Sequence, residues 1–372
     1  MAGITPIVMP KWGLSMREGT LTSWLVSVGD TITVGMPILE VETDKISNEV
    51  EAADAGTLRR KVANEGEVLP VKALLGVLAG QDVSDADIDA FVAAWVMPAV
   101  EDAADGEASV YQFAEVEGIR VRYTRRGPAE GTPVVLIHGY GGDADNWMFN
   151  IDALAERAPV LGFDLPGHGS SSVKLPGRSV EALARFSAAF LDALEIGRAH
   201  FVGHSLGGAI AAQIALDAPH RVASLTLIGS AGFGDEISGE YVEGFANAES
   251  RKELKPVLEM LFADSSLVTR KMIDDVLKYK RLDGVGPLLR ELAAALFPGG
   301  RQTAKPGLAL GRAGYSGPVQ VIWGRKDRVV PAGHADAAPA QATKVLLDDA
   351  GHMVQMEKSA EVNRAILALV GR

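Results

Sequence analysis

Residues 199–208 read AHFVGHSLGG, a short apolar run that ends in a serine flanked by glycines. The run is typical of a buried β-strand, and the residues from Leu206 onward have the apolar spacing of a helix. A G-x-S-x-G sequence between a strand and a helix marks a sharp turn that presents the serine hydroxyl, and its glycines prevent crowding of the backbone. We therefore predict Ser205 as a nucleophile, with the Leu206 N–H as one donor to an oxyanion.

The same alternation of strand and helix extends over most of the chain from Tyr111 onward. Residues 111–127 read as an antiparallel hairpin. Apolar runs follow at 133–139, 158–164, 199–205, 222–229, 319–324 and 344–349, and helical patterns such as 180–194 and 206–218 separate most of them. Buried strands that alternate with helices indicate a mostly parallel sheet covered on both faces. Residues 231–317 interrupt this pattern with helical segments, which predicts a lid.

A serine hydroxyl is a weak nucleophile and needs a base, which in turn needs a group that orients it. The chain has seven histidines, and of these only His352 lies in a loop after the last predicted strand. Asp327 follows the end of the preceding strand. The order Ser205, Asp327, His352 is that of the α/β-hydrolase fold. Residues 111–372 resemble that superfamily throughout.

Two further stretches carry the resemblance, HGYGG at 138–142 and DLPGHG at 164–169. The first implies that the N–H of Tyr140, or that of Gly141, is the second oxyanion donor. Other residues have competing interpretations. Asp164, Asp348 and Asp349 are alternative acids, although the first precedes the serine and the other two lie very near His352 in sequence. Tyr140, Trp147, Phe149 and the lid residues are candidates for a substrate pocket or for core packing.

The other six histidines are expected to have no part in the chemistry. Three lie in family motifs, where we expect them to shape loops: His138, His168 and His204. The remaining three are expected at the surface or at strand ends: His200, His220 and His334. The chain has no dinucleotide fingerprint and no H-E-x-x-H sequence, and we predict no metal site.

The first eighty residues form an internal repeat with an offset of 37 positions. Residues 19–21 (GTL) fall on residues 56–58 (GTL), and the Gly29-Asp30 turn falls on Gly66-Glu67. Two similar halves built from short strands predict a small flattened β-barrel with approximate two-fold symmetry. Residues 41–47 (VETDKIS) lie between the halves and predict a hairpin turn around Asp44 and Lys45.

Residues 5–80 resemble a lipoyl domain. The resemblance is carried by ETDK at 42–45, by MPKWGLSMREG at 9–19 and by the GD turn at 29–30. It implies that Lys45 is amide-linked to lipoate, which would make a long arm able to visit separate active sites. The alternatives are an ordinary solvated lysine in a turn and a biotin carrier domain. A biotin carrier has Met on both sides of its lysine, whereas Lys45 lies between Asp44 and Ile46.

Composition excludes several classes of protein. The net charge of −12 argues against binding to nucleic acid or to an anionic membrane. The chain contains no cysteine, so disulfides and thiolate chemistry are impossible. No apolar run is long enough to span a bilayer, and the sequence MAGITPIVMPKWG does not read as a secretory signal. We expect a cytoplasmic protein.

Three segments follow from these patterns: a lipoyl domain at 1–80, a linker at 81–110 and a hydrolase-fold domain at 111–372. The linker is rich in alanine and carries eight acidic and no basic side chains. Its first half suits a short helix, because Ser84 is a good N-cap and Ile88, Phe91 and Trp95 recur at helical spacing. Its second half, EDAADGEA, reads as solvated chain.

As a whole, the chain resembles the dihydrolipoamide acetyltransferase (E2) component of acetoin dehydrogenase systems. The resemblance implies transfer of an acetyl group from the S-acetyl-dihydrolipoyl arm to coenzyme A in acetoin catabolism. It also implies a thiamine-diphosphate E1, a flavin-dependent E3 and a lipoate ligase or transferase as partners. The H-x-x-x-D-G motif of the commoner E2 proteins is missing from the sequence, and residues 81–110 do not read as their subunit-binding domain. Their large symmetric cores are therefore not implied.

Two other functions fit the same residues. The first is a lipoyl-tethered hydrolase, such as a thioesterase, an esterase or a C–C hydrolase, in which water replaces coenzyme A as acceptor. The second is a carrier and scaffold with a silent hydrolase fold, against which the complete Ser205, Asp327 and His352 set argues. The sequence allows a homo-oligomer without specifying its size, and it does not fix the length of the acyl chain or the position of the coenzyme A site.

Overall fold

A computed structural model describes residues 3–12, 16–43, 47–97 and 111–371. The chain divides into two compact units, Met1–Ala108 and Ser109–Arg372. In the part of the chain that the structure describes, no helix combines the length and the apolarity needed to cross a lipid bilayer.

The described residues of the N-terminal unit form eight short strands and one helix. They are β1 (Ile4–Val8), β2 (Glu18–Trp24), β3 (Thr31–Ile32), β4 (Pro37–Glu42), β5 (Ser47–Glu51), β6 (Gly56–Lys61), β7 (Val68–Pro70), β8 (Leu74–Ala79) and α1 (Asp85–Ala93). The strands form two four-stranded antiparallel sheets, with the orders β1-β8-β6-β3 and β5-β4-β2-β7. The main apolar core of this unit contains Leu21, Val41 and Leu58, which are fully buried. The predicted all-β fold is confirmed.

The predicted repeat is visible in the pairing of the strands. A shift of 37 positions relates β2, β3 and β4 to β6, β7 and β8, so the order β4-β2-β7 in one sheet corresponds to β8-β6-β3 in the other. The register shift in β2 after Leu21 recurs in β6 after Leu58. Backbone bonds also match, since Gly29 N donates to Leu58 O and Gly66 N donates to Leu21 O, each at 2.7 Å. Both glycines have positive φ, a conformation that costs little only without a Cβ.

Helix α1 follows strand β8 in the chain. The Ser84 side chain accepts a hydrogen bond from the Asp87 N–H, which caps the helix as the sequence predicts. Ile88 is fully buried and packs against Leu74 and Val77. The first half of the acidic stretch is therefore packed onto the N-terminal unit. The second half, with EDAADGEA, lies outside the described residues.

The second unit contains eight strands and ten helices among the residues that the structure describes. The strands are β9 (Gln112–Val116), β10 (Ile119–Arg126), β11 (Val134–Ile137), β12 (Val160–Phe163), β13 (Ala199–His204), β14 (Val222–Ile228), β15 (Val319–Gly324) and β16 (Thr343–Leu347). The helices are α2 (Ile151–Ala155), α3 (Val180–Ala193), α4 (Leu206–Asp217), α5 (Gly239–Asn247), α6 (Arg251–Glu259), α7 (Arg270–Lys280), α8 (Val285–Leu296), α9 (Pro306–Arg312), α10 (Val354–Glu357) and α11 (Ser359–Val370).

The strands form one sheet with the order β16-β15-β14-β13-β11-β12-β10-β9. Strand β10 pairs antiparallel with both β9 and β12, and the other neighbouring strands pair parallel, as the alternation of apolar runs and helices predicts. Every residue of β11, β12 and β15 is buried, so helices cover both faces of the sheet. Parallel strands end at the same edge, and the loops that follow β11, β13, β15 and β16 meet there.

The segment between β14 and β15 holds helices α5 to α9. Helices α5, α6, α7 and α8 pack on one another and form the predicted lid, which we call the cap. Helix α9 packs instead against α4, which covers the sheet. The end of the expected lid segment at 231–317 therefore belongs to the sheet layer, and the cap ends before Pro306.

The repeat in the N-terminal unit predicts similar costs for equivalent core substitutions. Leu21→Ala and Leu58→Ala each remove a fully buried side chain, and we expect each to lower the free energy of unfolding by about 3 kcal/mol. Hydrogen-exchange mass spectrometry of the whole chain would measure the opening of peptides within residues 16–43 and 56–79. Val28→Ala is a control, since Val28 is 58% exposed. A large cost for one leucine and none for the other would contradict the equivalence.

Candidate active site

Ser205 lies in the sharp turn between β13 and α4. Its φ of 53° and ψ of −117° are strained for a residue with a Cβ. The turn closes only because the residues two positions before and after Ser205 are glycines. An added Cβ would lie 2.3 Å from the Gly207 carbonyl oxygen if placed on Gly203, and 2.1 Å from the Ile137 carbonyl oxygen if placed on Gly207. The sequence pattern thus forms the predicted elbow, with Ser205 at its tip.

His352 and Asp327 form a buried pair. Nδ1 of His352 lies 2.8 Å from Oδ2 of Asp327, and the side chains are 2% and 0% exposed. The other oxygen, Oδ1, accepts hydrogen bonds from the N–H groups of Val329 and Val330 at 2.8 and 2.9 Å. A carboxylate only accepts, so it favours the tautomer in which Nδ1 carries the proton and Nε2 is left as an acceptor.

Contacts of the His204 side chain bring this pair and the elbow to the same edge of the sheet. His204, next to Ser205, donates from Nε2 to the His352 carbonyl oxygen at 3.0 Å, and the two rings are 4.6 Å apart. Between the segments lies Gly229, where an added Cβ would be 3.2 Å from Nδ1 of His352 and 3.3 Å from Oδ2 of Asp327. The three predicted residues therefore gather where β13, β14 and β15 end.

The two predicted oxyanion donors flank the serine. Leu206 is the first residue of α4, and N–H groups in the first turn of a helix have no acceptor within it. Tyr140 follows β11, and Gly139 before it is so close that an added Cβ would lie 3.0 Å from the Ser205 Cβ. Gly141 has a φ of 73° and faces the Phe245 ring, which would lie 2.3 Å from an added Cβ. The cap helix α5 thus rests directly on this loop.

Tyr140, one of the three aromatic pocket candidates, contacts the cap. Its hydroxyl donates to the Leu289 carbonyl oxygen of α8 at 2.9 Å, and its ring lies 5.7 Å from that of Phe245. Trp147 is fully buried in the core beside Val134 and Val202, so it is a packing residue.

Phe149 is buried as well, with 7% of its surface exposed. Its carbonyl oxygen accepts a hydrogen bond from Asn363 of α11 at 3.0 Å, on the side of the sheet that α11 covers.

The rival acids are engaged elsewhere. Asp164 is fully buried and accepts bonds from Nε and Nη2 of Arg122, at 2.6 and 3.0 Å, and from two backbone N–H groups. Asp348 and Asp349 are exposed and pair with Arg325 and Lys326. Asp327 alone among these four acids contacts His352 in the described part of the chain.

The histidines expected to shape loops do so as neutral groups. His138 accepts from the Leu165 N–H at Nε2 and donates from Nδ1 to the Gly139 carbonyl oxygen, which fastens two loops together. Burial lowers the pKa of His138 to about 4 and that of His168 to about 3, and it lowers the pKa of His204 as well. His334 was expected at the surface or at a strand end, and this was wrong, because it is 9% exposed, lies within the short helical segment Ala332–Ala337 and packs against Gly234.

Sequence reasoning missed two residues that hold the loops of Asp327 and His352 in place. Arg328 donates to the carbonyl oxygens of Glu259 and Phe262, the latter at 3.0 Å, and so ties the loop of Asp327 to the end of α6. Glu357 accepts from the N–H groups of Gly351 and Ala263, both at 2.7 Å. Burial raises the pKa of this carboxyl group. Neither residue stands in a motif, so the sequence carried no signal for them.

Lys45 lies outside the described residues, which resume at Ser47. Strands β4 and β5 pair antiparallel up to Glu42 and Ser47, and the hairpin turn predicted around Asp44 and Lys45 lies outside the described residues. Lys45 is in that segment by sequence.

The buried histidines predict that the second unit loses stability in mild acid. A histidine with a folded pKa below its ordinary 6.5 contributes stability that is present above pH 6.5 and is lost as the pH falls, because the unfolded chain takes up the proton first. Between pH 7 and pH 5 we expect a loss of about 2 kcal/mol for each of His138 and His168. Urea unfolding followed by tryptophan fluorescence at several pH values would measure it.

The measurement needs a control variant and an allowance for one acidic group. The exposed His220 offers a control, and His220→Gln should leave the pH dependence unchanged. Glu357 changes the stability in the opposite direction, since its raised pKa favours the folded state at lower pH. It is a single group, whereas the pKa is lowered at three buried histidines. A free energy of unfolding that stays flat or rises from pH 7 to pH 5 would contradict the neutral state of the histidines.

Comparison with known proteins places these features in context. Residues 132–359 match the family described as alpha/beta hydrolase fold, and residues 5–78 match the family described as biotin-requiring enzyme. A meta-cleavage product hydrolase from Pseudomonas fluorescens has a similar structure, with a TM-score of 0.62 and 26% identity over 68% of this chain and 95% of that one.

Two relatives match over the whole chain. Each is named as the dihydrolipoyllysine-residue acetyltransferase component of an acetoin cleaving system. The one from Cupriavidus necator is 56% identical over 99% of this chain and 98% of its own length. The one from Pseudomonas putida is 47% identical over 100% of this chain and 99% of its own length. The chain therefore belongs to the family of dihydrolipoyllysine-residue acetyltransferase components of acetoin cleaving systems, with a lipoyl-type domain followed by an α/β-hydrolase fold.

Proposed function

We propose that this chain transfers an acetyl group from a dihydrolipoyl thioester to coenzyme A in an acetoin cleaving system. The observation that carries the proposal is the presence of a lipoyl-type domain and a serine, histidine and aspartate set in one chain. The relatives from Cupriavidus necator and Pseudomonas putida, both named as acetyltransferase components of acetoin cleaving systems, match both units of this chain. A carrier and an acyl-transfer site in one chain suit a reaction in which the acyl group stays tethered.

The lipoyl-type unit fits its prosthetic group. An amide link needs a primary amine, and Lys45 is the one lysine between the paired ends Glu42 and Ser47. Lipoate bound there supplies a dithiolane that carries the acetyl group as a thioester when reduced. We propose Lys45 as the attachment residue.

The first half of the reaction moves the acetyl group to the protein. Ser205 Oγ attacks the thioester carbonyl carbon while Nε2 of His352 takes the hydroxyl proton. The N–H groups of Leu206 and Tyr140 donate to the carbonyl oxygen as it gains negative charge. The C–S bond then breaks, the departing sulfur takes the proton from His352, and an acetyl-serine remains.

The second half regenerates the serine. Nε2 of His352 takes the proton of the coenzyme A thiol, and the sulfur attacks the acetyl-serine carbonyl. The C–O bond breaks and the proton returns to Ser205 Oγ. Asp327 keeps Nδ1 protonated throughout and stabilises the imidazolium, a role supported by its short contact with His352 and its two backbone donors.

The role implies partners. As an E2-type component, the chain works between an E1 and an E3 component. We propose a thiamine-diphosphate E1 that loads the acetyl group and a flavin-dependent E3 that reoxidises the dithiol. A lipoate ligase or transferase is proposed to modify Lys45.

We expect Ser205→Ala to abolish the formation of acetyl-CoA, because the covalent route needs the hydroxyl. Asp327→Asn should lower kcat roughly 10³- to 10⁴-fold, because the amide favours the wrong tautomer of His352. The assay incubates purified protein with S-acetyl-dihydrolipoamide and coenzyme A and quantifies acetyl-CoA and free acetate.

Asp348→Asn is the matched control, since this aspartate is exposed and pairs with Arg325. Free acetate as the main product of the wild type, even with coenzyme A present, would replace this function by a tethered hydrolase. The likeness to the meta-cleavage product hydrolase makes that outcome the second candidate. Formation of acetyl-CoA that survives Ser205→Ala would refute the covalent mechanism alone.

Lys45→Arg separates the carrier from the catalyst. It keeps the charge but removes the amine that forms the amide, so we expect the turnover of the assembled system to fall roughly 100-fold or more. Transfer from free S-acetyl-dihydrolipoamide should be unchanged. Lys11→Arg, at an exposed lysine of the same unit, is the control. Unchanged turnover of the assembled system in Lys45→Arg would show that the arm is attached elsewhere.

A further inference from the structure

A groove of about 520 Å³ lies between residues 173–178 and the N-terminal half of cap helix α8. Its volume is within the range of small-molecule sites. It has apolar walls and two cations, namely Val173, Leu175, Pro287 and Leu288 with Lys174 and Arg178. No step of the proposed mechanism uses these residues.

The two cations come from one loop and reach solvent. Lys174 is exposed, and its Nζ donates to the Gly118 carbonyl oxygen at 3.3 Å. Arg178 is 65% exposed and pairs with Glu291 of α8. The chain carries a net charge of −12, yet two cations lie at this groove, next to an apolar wall. This combination suits a ligand that joins a flat apolar ring to phosphate groups.

The groove lies one helix away from the catalytic serine. Leu288 packs so tightly on Gly167 that an added Cβ there would be 2.6 Å from its Cδ2. The next residue, Leu289, accepts the hydrogen bond from the Tyr140 hydroxyl on the active-site side of α8. Helix α8 thus faces the groove on one side and the proposed oxyanion loop on another, about 10 Å across.

We propose that this groove binds the nucleotide end of coenzyme A, with the adenine against Val173 and Pro287 and phosphates at Lys174 and Arg178. The proposal rests on the proposed function, which needs a site for this acceptor. The long pantetheine arm then runs past the N-terminus of α8 at Gly284 and brings the thiol to Ser205.

Glu291 allows the direction of a change in affinity to be tested. In the free protein it holds Arg178, and an exposed ion pair of this kind adds little stability. On binding, Arg178 exchanges the carboxylate for a phosphate, while the carboxylate repels the same phosphate. Removing the charge of Glu291 should therefore improve binding, whereas removing Arg178 should weaken it.

The kinetic test compares coenzyme A with pantetheine, which has the same thiol and no nucleotide. We expect Lys174→Ala and Arg178→Ala each to raise KM for coenzyme A about tenfold, and Glu291→Gln to lower it. KM for pantetheine should stay the same in all three variants. Lys255→Ala, at a 58% exposed lysine of α6, is the control and should change neither value.

A binding test does not depend on turnover. Calorimetry with adenosine 3′,5′-bisphosphate should show binding to the wild-type chain and loss of binding in Arg178→Ala and in Val173→Trp, which fills the groove. Equal affinity in wild type and variants, or no binding at all, would overturn the groove proposal whether or not acetyl-CoA is made. Free acetate from a wild type that still binds the bisphosphate would overturn the proposed function and leave the groove as a nucleotide site.

Discussion

The backbone strain at Ser205 is the constraint on which the catalytic unit depends. A φ of 53° at a residue with a side chain costs roughly 1–2 kcal/mol, and only a tightly packed surrounding holds it. Gly203 and Gly207 let the strand, the turn and helix α4 approach within distances that a Cβ would forbid. Strand β13 must therefore end beside the start of α4. This close approach fixes the edge of the sheet at which the other loops meet.

Sequence reasoning succeeded where the chemistry has a fixed spacing. The elbow at Ser205 and the 37-residue repeat follow from local backbone requirements, so the pattern alone carries them. The order of serine, acid and base follows from a resemblance to a fold in which strand ends meet at one edge. These features depend on the chain near each residue or on the direction of the strands, both of which can be read from apolar periodicity.

Other features depend on contacts between distant segments, and the sequence could not show them. An aromatic residue such as Trp147 is apolar enough for a pocket or for a core, and only the packing decides. Helix α9 has an ordinary helical pattern, so nothing local assigns it to the sheet rather than the cap. Glu357 receives two N–H groups from separate segments, and no spacing rule joins them.

The end of cap helix α6 has a consequence for how such proteins diversify. The Leu261 carbonyl oxygen accepts the N–H groups of both His352 and Met353, at 2.8 and 3.0 Å. His352, the proposed base, is thus held in place partly by the inserted segment rather than only by the sheet that carries Ser205. A chimera that grafts the cap of another hydrolase must reproduce an acceptor at position 261, or the histidine loses its support. A change in the cap and the position of His352 are therefore linked through the carbonyl group of Leu261.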